Sequence, residues 1–242
     1  MSIQALKSWK PAQVVAILLL VAAAFMCALT LQNLQAVKDV NAAPAERFLI
    51  VDPGHGGIDG GAVALNGTKE SDINLSLALK LRELASFCGQ PTVMTRTDDS
   101  NNTDYAAYSE HADLVRRTEL INAVPNGVLI SIHQNYYPTS QPRGAQVLYA
   151  QGEESRHFGE LTHQNIVAFL QQDNRRVAVP APPELYITAR ACCPAILVEC
   201  GFVSNPLDLE QLSDAQYQTA FAAVLLCSYL QFISAENNIT YT

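Results

Sequence analysis

Between residues 47 and 235, continuous apolar blocks of strand length alternate with segments whose apolar positions recur at helical spacing. The blocks at 47–51, 127–132 and 194–198 are almost continuously apolar, interrupted only by Arg47 and Ser131, so strands there are expected to be buried on both faces, as in a parallel sheet covered by helices. Residues 91–95 and 144–149 read as further strands, and 186–188 as a short edge strand. A stripe of Ile73, Leu75, Leu77, Ala78, Leu79, Leu81 and Leu84 predicts a helix, with Gly89 placed as its stop just past Cys88. Amphipathic helices are also expected over about 114–124, 155–170 and 214–233, with loops over the polar stretch 98–110 and the proline-bearing stretch 177–184. This alternation predicts an α/β chain: a three-layer fold with a mostly parallel central sheet flanked by helices, in one domain without internal repeats.

A different pattern precedes it. Residues 14–31 form 18 successive positions without a charge, enough to cross a bilayer as a helix. Lys7 and Lys10 lie before this run, whereas Lys38 and Asp39 after it nearly cancel. The positive-inside bias therefore keeps the amino terminus cytoplasmic and the rest extracytoplasmic. The expected organisation is a cytoplasmic tail at 1–13, a transmembrane signal anchor at 14–31, a linker at 32–46, a catalytic domain at 47–235 and a tail at 236–242. The alternative is a signal peptide cleaved near the small residues 41–45, which lie well beyond the apolar run.

The composition of the 242 residues, 49% apolar and 16% charged, suits a chain that folds without staples. A net charge of −8, without basic runs interleaved with aromatics, argues against nucleic acid as a partner. The six cysteines do not read as a disulfide framework. Cys27 falls in the apolar run, Cys192 and Cys193 are adjacent, and Cys88 and Cys227 sit in helical patterns where burial is expected.

Candidate chemistry stands at the ends of the apolar blocks. In an open parallel sheet, ligands bind beyond the carboxyl ends of the strands. His55, His133 and Glu199 should therefore converge, and Glu70, opening the helix after the glycine-rich 54–61 loop, can face the same crevice. Two imidazoles and one carboxylate suit a single catalytic Zn²⁺ with a position left for water, and the second carboxylate is then free to act as a base. Glu199 is the sharpest case, because a carboxylate closing an apolar strand is desolvated unless paired or functional. Asp52 and Asn135 are candidates for orienting a ligand imidazole or the substrate. His111 is a spare ligand in a polar loop. His157, His163, Arg116, Arg117, Arg175 and Arg176 read as surface groups.

Five motifs then carry a resemblance. In order they are Asp52-Pro53-Gly54-His55-Gly56-Gly57, Lys69-Glu70, Thr95-Arg96, Ser131-Ile132-His133-Gln134-Asn135, and the stretch from Leu197 through Glu199 to Asn205. Together they resemble the zinc-dependent N-acetylmuramoyl-L-alanine amidases. Tyr108-Ser109 and the run to Arg116-Arg117 most resemble the spore germination-specific subgroup, which prepares cortex peptidoglycan for muramic-lactam formation. The resemblance implies that His55, Glu70 and His133 hold the zinc and that Glu199 is the catalytic carboxylate. It further implies peptidoglycan as substrate, cleaved at the amide between N-acetylmuramic acid and L-alanine. Gln134 and Cys200 depart modestly from the family pattern, and the approach to the last strand, 188–193, is unusual. Two rival readings are a membrane-tethered wall-binding module without chemistry and a cysteine hydrolase using Cys193 or Cys200. The identity of any regulatory protein partner is left open.

Overall fold

The structure is a computed structural model that describes residues 46–101 and 108–239, with side chains to residue 235. The segments expected as cytoplasmic tail, membrane anchor and nearly all of the linker lie outside the described residues, as does part of the expected 98–110 loop.

Six strands form one sheet: β1 (Phe48–Pro53), β2 (Thr92–Met94), β3 (Gly127–Asn135), β4 (Gln146–Tyr149), β5 (Val179–Pro180) and β6 (Ala195–Phe202). Their order is β2-β1-β3-β6-β4-β5. The first four in that order run parallel, β4 lies antiparallel to β6, and β5 runs parallel to β4. Among the described residues six helices flank them: α1 (Glu70–Phe87), α2 (Glu110–Asn122), α3 (Glu153–Phe169), α4 (Tyr186–Arg190), α5 (Pro206–Ser213) and α6 (Ala215–Ile239).

The continuous apolar runs make the three layers necessary. Leu49 and Val51 of β1, Val128, Ile130 and Ile132 of β3, and Ile196 and Val198 of β6 share one core with Leu77 and Leu81 of α1, Phe158 of α3 and Phe221, Leu225 and Tyr229 of α6. The intervening Ile50, Leu129 and Ala195 turn to a second core with Ile121 of α2 and Ile187 of α4. Alternate side chains of each strand thus enter different cores, which is the period-two geometry of a strand.

Gly89 ends α1 in the left-handed conformation (φ 71°), with its N–H on Ser86 O and that of Gln90 on Ala85 O. Helix α6 is long and apolar enough over Ala215–Ala235 to pass for a membrane span by length and composition. Half of that window is buried, however, and Phe221, Leu225, Tyr229 and Phe232 face the first core, as in the core helix of a globular domain.

Several details differ from the sequence reading. Residues 186–188 are helical, in α4, and cover one face of the sheet, with Ile187 buried in the second core, rather than adding to its edge. That edge is built from 179–180, inside the stretch expected to be loop. Helix α5 precedes the terminal helix, capped by Asn205 Oδ1 accepting from the N–H groups of Leu207 and Asp208. Strands β3 and β6 continue past His133 and Glu199. Cys88 and Cys227 are exposed, and all five described cysteines are free thiols.

Candidate metal and catalytic centre

Beyond the carboxyl end of β1 the chain turns sharply through Gly54 and His55. A Cβ at Gly54 would lie 2.2 Å from the His133 ring, so this position tolerates no side chain. His55 itself is left-handed (φ 59°). The loop returns through Asp59, whose Oδ2 lies 2.7 Å from His55 Nδ1, and reaches α1 with Glu70 in its first turn. A side chain at Gly61 would collide with both Glu70 and His55. The glycine-rich stretch is therefore what lets one loop place two functional groups side by side.

Glu70 stands between the imidazoles. Its Oε1 is 3.0 Å from His133 Nδ1 and 3.3 Å from His55 Nε2, and the two rings meet edge to face with centroids 4.9 Å apart. The backbone N–H groups of Ala62 and Gln134 donate to Oε2 and Oε1, at 2.9 and 3.0 Å, and orient the carboxylate. One donor atom from each of His55, Glu70 and His133 lies within 4.8 Å of the others. Two imidazole nitrogens and a carboxylate oxygen at this spacing suit a zinc-type cation. Burial alone would raise the Glu70 pKa, but hydrogen bonding to His133 and His55 holds it well below the usual carboxylate range. Burial would lower the His55 pKa, yet the hydrogen bonds to Asp59 and Glu70 push it up to about 10. The centre thus favours positive charge, which a divalent ion supplies in place of protons.

Glu199 pairs with His133 across the β3–β6 register. Burial, the largest influence, pushes its pKa up to about 7, and its Oε2 is buried without a hydrogen-bond partner among the described residues. A buried oxygen left unpaired in this way is expensive and points to function. Both glutamates and both histidines line one cavity of about 370 Å³, walled by Leu185 and Ile187 of the α4 segment and by Leu197.

The remaining residues singled out from sequence fall in varied places. Asn135 lines the cavity. Asp52 is fully buried, accepts hydrogen bonds from Thr95 and Ser131, and pairs with Arg117, so it supports the loop rather than an imidazole directly. His111 packs against the Tyr186 ring. His163 is buried against Arg176 O, contrary to the surface reading. Burial pushes the Cys193 thiol up to about 11 and the Cys200 thiol higher still, so neither has the thiolate character a cysteine nucleophile needs. Two groups at the centre escaped sequence reasoning. Asp59 carries no spacing signal that links it to His55, and Arg117, read as a surface charge, is buried against the His55 loop.

A family model described as N-acetylmuramoyl-L-alanine amidase matches residues 49–226. A germination-specific N-acetylmuramoyl-L-alanine amidase of Bacillus subtilis (strain 168) is 29% identical over 203 residues, covering 79% of this chain and 82% of its own. Among solved structures, the CwlD amidase of Clostridioides difficile in complex with the GerS lipoprotein superposes with a TM-score of 0.74 at 31% identity, over 78% of this chain and 99% of that one. An N-acetylmuramoyl-L-alanine amidase of Clostridium difficile 630 follows at 26% identity and a TM-score of 0.69, over 78% and 97%.

Proposed function

As the chain belongs to the N-acetylmuramoyl-L-alanine amidase family, a family of peptidoglycan hydrolases, we propose that it cleaves the amide between N-acetylmuramic acid and L-alanine with one zinc ion held by His55, Glu70 and His133. The observation that carries this reading is the approach of two imidazoles and one carboxylate from three elements, beside a second carboxylate with one buried oxygen that has no partner among the described residues.

Bound by these three residues, the ion would supply Lewis acidity, acidifying a water and polarising the scissile carbonyl. Asp59, on His55 Nδ1, leaves Nε2 turned to the ligand group and fixes the ring. Glu70, oriented by two backbone N–H groups, stays anionic. Glu199 is the general base that takes the proton of the attacking water and returns it to the departing amine nitrogen, a dual task suited to a carboxyl poised near neutrality. Leu185, Ile187 and Leu197 offer an apolar flank for the lactyl and alanyl methyl groups on either side of the amide.

Residues 14–31 would anchor the enzyme, with 1–13 inside the cell, 32–46 as tether and 47–235 as the catalytic domain facing the wall. The name of the Bacillus subtilis relative supports a role in spore cortex maturation, where the product feeds muramic-lactam formation.

Incubation of the protein with purified peptidoglycan, after chelation and again after zinc is restored, tests the reading by mass analysis of the fragments. Expected are sugar-free peptides beginning with L-alanine, released only with zinc. Products cut at a glycosidic bond, or release unchanged by chelation, would overturn it.

A further inference from the structure

Among the described residues, only His55 and Asn126 are non-glycine residues with a left-handed backbone. That conformation crowds the Cβ against the following carbonyl and persists only where the surroundings enforce it. At His55 the enforcement is visible. Three successive carbonyls, those of Pro53, Gly54 and His55, all accept hydrogen bonds from two buried guanidinium groups.

Arg96 donates from Nε to Pro53 O (2.9 Å) and from Nη2 to Gly54 O (3.0 Å), and ties the loop to α1 through Ser71 O (3.0 Å). Arg117, reaching in from α2, donates from Nη1 to Pro53 O (2.7 Å) and from Nη2 to His55 O (2.6 Å). Arg117 is only 1% exposed, and its charge is matched by Asp113 Oδ2 at Nε (2.7 Å) and Asp52 Oδ1 at Nη1 (3.1 Å). Asp52 is itself pinned by the hydroxyls of Thr95 and Ser131. The guanidinium is therefore immobilised on its carboxylate side, and its opposite edge grips the backbone of His55. Pairing with the two carboxylates would satisfy the charge; the Nη2 donor aimed at His55 O does something further.

We propose that Arg117 is a positioning residue that holds His55 in its left-handed conformation and so aims the imidazole at Glu70 and His133. This rests on the reading of that group as a zinc site. Lysine at 117 keeps the charge, but a single ammonium cannot span two carboxylates and two carbonyls as the planar fork does. The ligand geometry should then loosen while the ion pair survives, and disturbed support of a ligand typically weakens metal binding by about 10- to 100-fold.

The test compares the full chain in detergent with its Arg117→Lys and Phe232→Ala variants. Phe232 stacks on Phe158 and serves as a core control. Zinc affinity is measured by competition with a chromophoric chelator, and the thermal midpoint of each metal-stripped protein is recorded alongside. Arg117→Lys is expected to weaken zinc binding at least about tenfold, whereas Phe232→Ala lowers the midpoint but leaves zinc affinity within about twofold. Equal zinc affinity in Arg117→Lys and the parent, or equal weakening in Phe232→Ala, would overturn the inference while leaving the zinc site itself intact. A parent chain that takes up no zinc would overturn both. Should Arg117→Lys not fold, Asp113→Ala, which removes the partner of Nε and releases one anchor of the guanidinium, carries the test: zinc binding weakened toward the same level, about tenfold, supports the positioning role, and unchanged binding refutes it.

Discussion

Glu70 and Glu199 are the same residue type within one centre, and their surroundings drive them in opposite directions. Glu70 accepts two backbone N–H groups and faces two imidazoles, so it remains charged. Glu199 has an oxygen with nothing to accept among the described residues, and burial carries its pKa from 4.5 to about 7. Divergent carboxylates of this kind separate a ligand from an acid–base group. Glu199→Gln is expected to retain zinc while losing about 10²- to 10⁴-fold in turnover, checked by metal analysis beside the peptidoglycan assay. The raised pKa also has a sign for stability. In metal-free protein the protonated carboxyl contributes fully below pH 4.5, and that contribution is lost as pH rises through about 7. The loss is on the order of 3 kcal/mol. Urea unfolding of the chelated protein at pH 8 should therefore find Glu199→Gln more stable than the parent; no difference would show that Glu199 ionises freely. Gly54→Ala tests the opposite wall. Its Cβ would enter the His133 ring, so zinc and activity should both fall, while Gly67→Ala, with nothing near its Cβ but a left-handed φ of 87°, should cost stability and spare zinc and activity.

At the scale of elements, the buried strands were legible because a strand with helices on both faces must be apolar on every residue. The two stripes of alternate side chains, Leu49 and Val51 against Ile50, are the direct result. Less legible were features whose signal is ambiguous in one dimension. Arg117 lies four residues after Asp113, a spacing that reads as an exposed helical ion pair, and it is buried only because that face of α2 packs over the exit of β1. Residues 186–188 have strand-like side chains but form a helical turn whose Ile187 packs on the face of the sheet. Two element-level outcomes follow. Phe221→Ala, on the buried face of α6, should cost about 3–5 kcal/mol in unfolding free energy. Asn205→Ala should cost about 1 kcal/mol by removing the cap of α5. Denaturant unfolding measures both, and zinc affinity should change in neither.

At the scale of the molecule, the described residues from Arg47 onward form one compact unit with its own cores. The apolar α6 belongs to that unit by packing. If residues 14–31 are the anchor, a chain starting at Glu46 should be recovered in the soluble fraction without detergent and keep its amide cleavage, whereas the full chain should sediment with membranes. Recovery of the shortened chain in the membrane fraction would transfer the anchoring role to α6.

Local order sufficed for much of this. Apolar blocks and helical stripes determined the layered α/β class, because burial on one face or two leaves a periodic trace in the residue order. Five short motifs placed the chain in its family before any coordinates. Other matters needed the folded chain. Strand ends alone left open which carboxylate meets the imidazoles; the loop through Gly54 and Gly61 brings in Glu70, and the β3–β6 pairing sets Glu199 beside them with an unpaired oxygen. The grip of Arg117 on His55 spans 62 residues. Contacts between distant segments are decided by packing, and packing has no period to read.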